Sequence, residues 1–276
     1  MGRKPTILFS ALNASPSILR VDDFARITDT YDDFDFVVDR NYDGDALKVL
    51  DLFCGCGGAA IGMHRALKQA RVPHWIVGVD LAPQEWYPFE RLTGDAVAVA
   101  ALPWVREFDF IWASPPCQRW SVATPRRSRK NHPNLIAPLR KALLASGVPF
   151  AIENVPGAPL RRLVKLCGSM FRDRLGSKLL VRRHRLFEAH GFKIRQRECR
   201  HPKMQPVDIT GHMSATTYYR SKKHFQVPLA LSRAIMGFAE YDFTVKELVQ
   251  AVPAEYSRYV MKEFLRGIKK ATAKKG

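Results

Sequence analysis

The run Leu47-Lys48-Val49-Leu50-Asp51-Leu52-Phe53-Cys54-Gly55-Cys56-Gly57-Gly58 decides how this chain folds. Its first half is apolar almost without interruption, the pattern of a strand covered on both faces rather than one with a wet side. Its second half is rich in glycine, which lets a backbone turn tightly and approach a ligand closely. Residues 59–70 (AAIGMHRALKQA) then carry apolar side chains at helical spacing. Strand, glycine turn and helix in that order describe a nucleotide or adenosyl site, or else a plain strand–helix turn. The run is not the dinucleotide fingerprint, because the last glycine is missing at the required offset.

The same texture continues outward. Residues 75–81 (WIVGVDL) read as a second buried strand, and residues 108–116 (FDFIWASPP) as a strand that runs into a proline-stopped loop. Residues 135–147 (LIAPLRKALLASG) read as a helix ending near glycine, and residues 148–155 (VPFAIENV) as a further buried strand. Apolar strands alternating with helices predict an α/β, Rossmann-like fold with a mostly parallel sheet flanked by helices. Ligands of such sheets bind beyond the C-terminal strand ends. Gly55, Asp80, Asp95, Cys117 and Glu153 all fall there.

The flanks differ in composition. Residues 1–46 hold 5 Lys/Arg against 9 Asp and read as an acidic extension, in which residues 34–38 (FDFVV) suggest a strand. The other 230 residues hold 39 basic against 17 acidic side chains, within a net charge of +18. A polyphosphate partner requires such a basic body, since each neutralised phosphate releases counterions. Residues 47–187 are expected to form the main domain and residues 188–228, which are polar, basic and aromatic, a small lobe. Residues 229–268 return to helical patterns, and residues 269–276 form a basic, frayed tail. The five cysteines are odd in number and lack a CxxC pair, which argues against a disulfide framework and for a reducing, cytoplasmic setting. Neither a signal peptide nor a membrane span is expected.

Several residues stand out chemically. Asp80 closes the second strand at a distance from the glycines that suits ribose hydroxyls, and Asp95 could accept from an exocyclic amine. Cys117 lies in Ser114-Pro115-Pro116-Cys117-Gln118, followed by Arg119, Arg126, Arg127, Arg129 and Lys130. That basic neighbourhood is expected to favour thiolate and could also grip phosphates; the alternative is an inert buried thiol. Glu153 ends an apolar strand, where burial raises a carboxyl pKa, or it is a helix cap. Strand alternation places Arg183 and Arg185 on one face, aimed at one anion or carbonyl, or leaves them on a solvated edge.

Taken in order, these motifs resemble the cytosine-C5 DNA methyltransferase family. Residues 51–58, 77–80 and 94–96 are similar to its cofactor motifs, and residues 115–118 to its nucleophile loop. Residues 153–155 and 182–185 are similar to the motifs that hold cytosine, and residues 231–238 to a late helical motif. The resemblance runs from Val49 to Pro253. It implies S-adenosyl-L-methionine as cofactor and S-adenosyl-L-homocysteine as product, bound by Phe53, Gly55, Gly57, Asp80, Leu81, Asp95, Ala96 and Pro115. In that reading Gly55 and Gly57 open space for the methionine part. It implies catalysis by Cys117, Glu153, Arg183 and Arg185 on a flipped cytosine. Double-stranded DNA would be gripped by Arg119, Ser121, Arg126, Arg127, Arg129 and Lys130. The enzyme is expected to act as a monomer. The alternatives are an RNA cytosine methyltransferase and a catalytically silent DNA-binding protein.

The chain departs from the family at Val181, where a Gln is usual, and at Val249-Gln250, where a Gly-Asn pair is usual. The short stretch between Arg185 and residues 235–238 implies a short target site. Cys199, His201 and His212 match no established zinc spacing, and a fourth ligand would have to be His190, Cys167 or His224. No metal is expected on that basis.

Overall fold

A computed structural model describes residues 46–174, 181–201, 206–209, 219–220 and 225–272. The strand expected over residues 34–38, His212, His224 and residues 273–276 lie outside the described residues.

The quoted run forms β1 (Leu47–Leu52), the turn through Gly57, and α1 (Gly58–Gln69). Beyond it come β2 (His74–Asp80), β3 (Glu90–Thr93), α2 (Ala96–Ala100), β4 (Phe110–Ala113), α3 (Ile136–Ser146) and β5 (Phe150–Asn154). The chain continues through β6 (Val164–Leu166), β7 (Arg185–His190), β8 (Tyr219–Arg220), β9 (Phe225–Gln226), α4 (Leu229–Met236), α5 (Val245–Gln250) and α6 (Ala254–Thr272). The main sheet has the order β3-β2-β1-β4-β5-β7-β6, and β8 pairs with β9 separately. Strands β1 to β5 are mutually parallel, and β7 runs antiparallel to both β5 and β6. The fold is therefore the expected α/β arrangement of a mostly parallel sheet.

Both faces of the sheet are covered, which is why its strands are apolar without alternation. On one side Leu50, Leu52, Val77 and Ile152 pack with Trp104, Leu139 and Leu143. On the other Val49, Phe110 and Trp112 pack with Met63 and Leu67 of α1 and Tyr256 and Phe264 of α6. A Cβ on Gly62 would come within 2.0 Å of the Ala254 carbonyl oxygen, so α1 and α6 approach backbone to backbone there. A third cluster, including Ile61, Val207, Ile209, Phe238 and Phe243, joins the late helices to the short segment at 206–209. The predicted helix over 135–147 ends at Gly147, in the left-handed region at φ 74°. The tail expected to fray from residue 269 remains helical as far as Thr272.

After β1 the chain moves to β2 on one side, and it returns to place β4 on the other. The crevice between β1 and β4 is the switch point at which an open parallel sheet binds ligands.

Candidate active site

The crevice is occupied by a cleft of about 480 Å³. Its floor is made by the turn after β1. Phe53 adopts φ 59° and Gly55 φ 48°, so two left-handed residues bend the chain sharply away from the strand. A bulky side chain in that region is strained, and such strain persists where the surroundings over-determine it. The Asp80 carboxylate stabilises the bend: its Oδ2 accepts the Gly55 N–H at 2.9 Å and its Oδ1 the Ala82 N–H at 3.3 Å. A Cβ on Gly55 would meet nothing within 4 Å, so this glycine borders open space. Asp95 caps α2, with Oδ1 accepting from Val97 N at 2.7 Å and Ala98 N at 3.3 Å. Its Oδ2 is the atom left for a ligand donor. Phe53, Gly55, Asp80, Leu81, Asp95, Ala96 and Pro115 all line the cleft.

Gly57 does not line it, which corrects the reading that it opens space for a ligand. Its Cβ would collide with Pro88 Cδ at 2.6 Å, and its φ of 90° forms the entry to α1. Glycine is required there for packing and for the turn.

Cys117, Glu153 and Arg185 line the same cleft. Cys117 is held by the proline pair and by a turn in which the Trp120 and Ser121 N–H groups both donate to its carbonyl at 2.9 Å. Asn154, fully buried, donates from Nδ2 to the Pro115 carbonyl at 2.9 Å and so ties this loop to the end of β5. Arg185 Nε lies 2.9 Å from Glu153 Oε1, yet among the described residues that buried oxygen accepts no directed hydrogen bond. An oxygen in that state can accept from a substrate. Burial raises the Glu153 carboxyl pKa, with Arg185 and a Ser114 hydrogen bond opposing.

The electrostatics of Cys117 differ from the expectation. Burial and the neighbouring Glu153 raise its thiol, and Arg185 and Arg183 only partly counteract them. The basic run after Cys117 does not act on it. Arg119 donates to the Lys130 and His132 carbonyls and stacks on Trp120, and Arg129 donates to the Thr124 carbonyl. These arginines brace the loop, and the Ser121 hydroxyl accepts from Ala123 N. Arg126, Arg127 and Lys130 are exposed on its outer side.

Arg183 requires a second correction. Residues 181–184 precede β7, so strand alternation does not govern them. Arg183 turns away from the cleft and donates to the carbonyls of Ile209, Val249 and Ala251. Tyr256 Oη donates to its carbonyl at 2.5 Å. It is a brace behind the cleft wall formed by residues 249–252.

Sequence reading gave no role to two further carboxylates on the cleft. Asp51 is fully buried, its Oδ2 accepts from Tyr87 Oη at 3.1 Å, and its Oδ1 has no hydrogen-bond partner among the described residues. Burial pushes its pKa up to about 8. Glu247 lines the opposite wall and closes a capping box with Thr244. The signal for Asp51 was present, as a carboxylate in the apolar run that ends β1.

Residues 47–163 match the family of C-5 cytosine-specific DNA methylases. The chain is 31% identical over 124 residues to the Type II methyltransferase M.HgiGI of Herpetosiphon aurantiacus, covering 97% of that protein and 42% of this one. The chain belongs to the C-5 cytosine-specific DNA methylase family. A second relative, the Type II methyltransferase M.HgiDI of the same organism, is 30% identical over 132 residues, 46% of this chain. This methylase-family chain spans only 43% of that relative's length. Among solved structures it is similar to the S. pombe Dnmt2 methyltransferase, at TM-score 0.46 and 14% identity over 81% of this chain and 99% of that one. The Entamoeba histolytica methyltransferase EhMeth matches at TM-score 0.42 and 12% identity over 82% and 99%.

Proposed function

We propose that this protein is a DNA (cytosine-5-)-methyltransferase that uses S-adenosyl-L-methionine. The observation that carries the reading is one cleft with two halves. One half has a nucleotide-site turn with carboxylates, and the other has a cysteine beside a buried glutamate–arginine pair.

The first half fits the cofactor. The whole cleft, of about 480 Å³, lies in the usual range for small-molecule sites. Phe53 offers an aromatic surface, Gly55 an open approach, and Asp80 and Asp95 acceptors for hydroxyls and an amine. Asp80, Asp95 and Glu247 together make this part of the cleft acidic within a basic protein, which suits a ligand carrying sulfonium and ammonium charges. When bound, the cofactor supplies an electrophilic methyl group for C5 of cytosine.

The chain's own residues do the rest. Cys117 Sγ, once deprotonated, adds to C6 of the ring. Glu153 holds a proton against N3, so that the displaced electron pair is stabilised and C5 becomes nucleophilic. Arg185 bonds to O2 and balances the charge that develops. After C5 has been alkylated, loss of its proton and departure of the Cys117 thiolate restore the aromatic ring. The cytosine must leave the stack to reach the cleft, at a cost of a few kcal/mol. Arg126, Arg127 and Lys130 would meet phosphates.

The test is to incubate the protein with the cofactor and duplex DNA, or with tRNA, and with DNA carrying 5-fluorocytosine. Fluorine at C5 blocks the final elimination, so a working Cys117 becomes trapped on the DNA. The expected result is methylated duplex DNA and a covalent adduct, both absent from Cys117→Ala. Methylation of tRNA alone would assign the chain to RNA. DNA binding without adduct or methyl transfer would make it a silent scaffold.

A further inference from the structure

We propose that the chain carries a structural zinc ion, held by Cys167, His184, Cys199 and His201. These four residues offer one ligand atom each, and the four atoms all lie within 4.8 Å of one another.

The cluster follows from sheet register. β6 and β7 pair antiparallel with Leu166 opposite Arg185, so the next residues outward, Cys167 and His184, face each other across the strand ends. The chain leaving β7 then returns along β6. The Lys165 N–H donates to Gln196 Oε1 at 3.0 Å, and Gln196 Nε2 donates to the Lys165 carbonyl at 2.9 Å. This places Cys199 and His201 over the same spot. His184 is the ligand that sequence spacing did not suggest. His190, weighed as a fourth ligand from sequence, is stacked on Phe150 instead.

Two of the three sulfur–nitrogen distances match the edges around an ion, and the third is shorter. His201 Nε2 lies 3.4 Å from Cys167 Sγ and 2.8 Å from Cys199 Sγ, and His184 Nε2 lies 3.3 Å from Cys199 Sγ. A tetrahedral site with Zn–S about 2.3 Å and Zn–N about 2.0 Å has S···N edges of about 3.5 Å. Two thiolates and two neutral imidazoles around a divalent ion give a neutral centre, which a half-buried position tolerates. The Ser169 hydroxyl donates to Cys167 Sγ at 3.3 Å, the outer-shell contact that thiolate ligands usually have. Four protein ligands leave no open position, so the ion is structural rather than catalytic.

Its place gives it a task. The centre fastens the chain after β7, which enters the 188–228 segment, to the sheet edge. Arg185, next to a ligand, donates from Nη1 to the His184 carbonyl at 2.9 Å. Holding His184 therefore holds the arginine that pairs with Glu153.

Metal content of the full chain, purified from zinc-supplemented cells, tests this, together with visible spectra after cobalt(II) replacement. The expected result is about one zinc per chain and the intense visible bands of tetrahedral cobalt with thiolate charge transfer. Cys199→Ser and His201→Ala should each lower zinc affinity by about ten-fold or more, whereas His132→Gln should keep it. If the ligand variants fail to fold, the cobalt spectrum of the wild-type chain decides alone. Metal-free protein with an octahedral cobalt spectrum, or a Cys167–Cys199 disulfide found by mass spectrometry, overturns the proposal. Neither outcome decides whether Cys117 forms an adduct, which the trapping experiment reads separately.

Discussion

Glu153 and Cys117 both have raised pKa values: both lose water on burial, and the Glu153 carboxylate further disfavours charge on Cys117. The proposed reaction would need Glu153 protonated and Cys117 ionised, so its pH profile would be set by both. As pH rises, thiolate increases about tenfold per unit and the rate climbs until Glu153 ionises. Beyond that point the two effects cancel and the rate levels. Glu153→Gln cannot lose a proton, so its rate should continue to climb toward the Cys117 pKa while lying about 10²- to 10⁴-fold lower throughout. Profiles of kcat/KM for both proteins check this, and an unchanged break in the variant would remove Glu153 from the mechanism. Asp51 makes a stability prediction. Its folded pKa of about 8 lies above an unfolded value near 3.9, so between these pH values the folded state keeps a proton that the unfolded state has lost. Stability therefore falls with rising pH across that window, by about 1.4 kcal/mol per unit from this group, and the loss is complete above pH 8. Asp51→Asn, which cannot ionise, should match the wild type near pH 4 and gain on it steadily to pH 8. Thermal melts of the pair at each pH give the difference, and parallel curves would contradict it.

At the scale of elements, the contact between α1 and α6 rests on the missing side chain of Gly62. An alanine Cβ there would overlap the Ala254 carbonyl oxygen and Ser257 Oγ at 2.0 and 2.1 Å, and backbone cannot yield as a flexible side chain would. Gly62→Ala should cost about 1–3 kcal/mol, a drop of several degrees in Tm. Gly94→Ala, whose Cβ would meet only Val99 at 3.9 Å, should stay near the wild type. Differential scanning calorimetry distinguishes the two, and equal Tm values would mean that α6 shifts freely. Neighbouring elements also show what the sequence could reveal. β1, β2, β4 and β5 were readable because strands buried on both faces are apolar throughout, and α3 because its final glycine marks its end. β6 was not, since its three residues carry an exposed lysine and no periodicity. The position of Arg183 was misread because period-2 reasoning holds only inside a strand, and β7 starts two residues later. The environment of Cys117 could not be read from its neighbours in sequence, because the group that dominates it after burial is Glu153, on another strand.

At the scale of the molecule, charge is the property that a nucleic-acid partner would feel. The net +18 is large, but the acidic cleft shows that it is not uniform. The positive charge that matters for DNA must therefore lie around the mouth of the cleft, at the C-terminal ends of the strands. Arg126 and Arg127 fulfil this condition: they are exposed on the loop between β4 and α3, the loop that also carries Cys117. Arg106 is exposed as well, but it precedes β4 and so lies toward the opposite, N-terminal edge of the sheet. Each phosphate neutralised lowers the slope of log K against log salt by about 0.9 for duplex DNA. Replacing both Arg126 and Arg127 with alanine should make that slope shallower by about 2, weaken binding equally for all sequences, and leave Tm unchanged. Arg106→Ala should retain the wild-type slope. Fluorescence anisotropy with a labelled duplex across a salt series measures both. If the Arg106 variant changed the slope and the double variant did not, DNA would have to approach from the other edge of the sheet, where a flipped base could not reach Cys117.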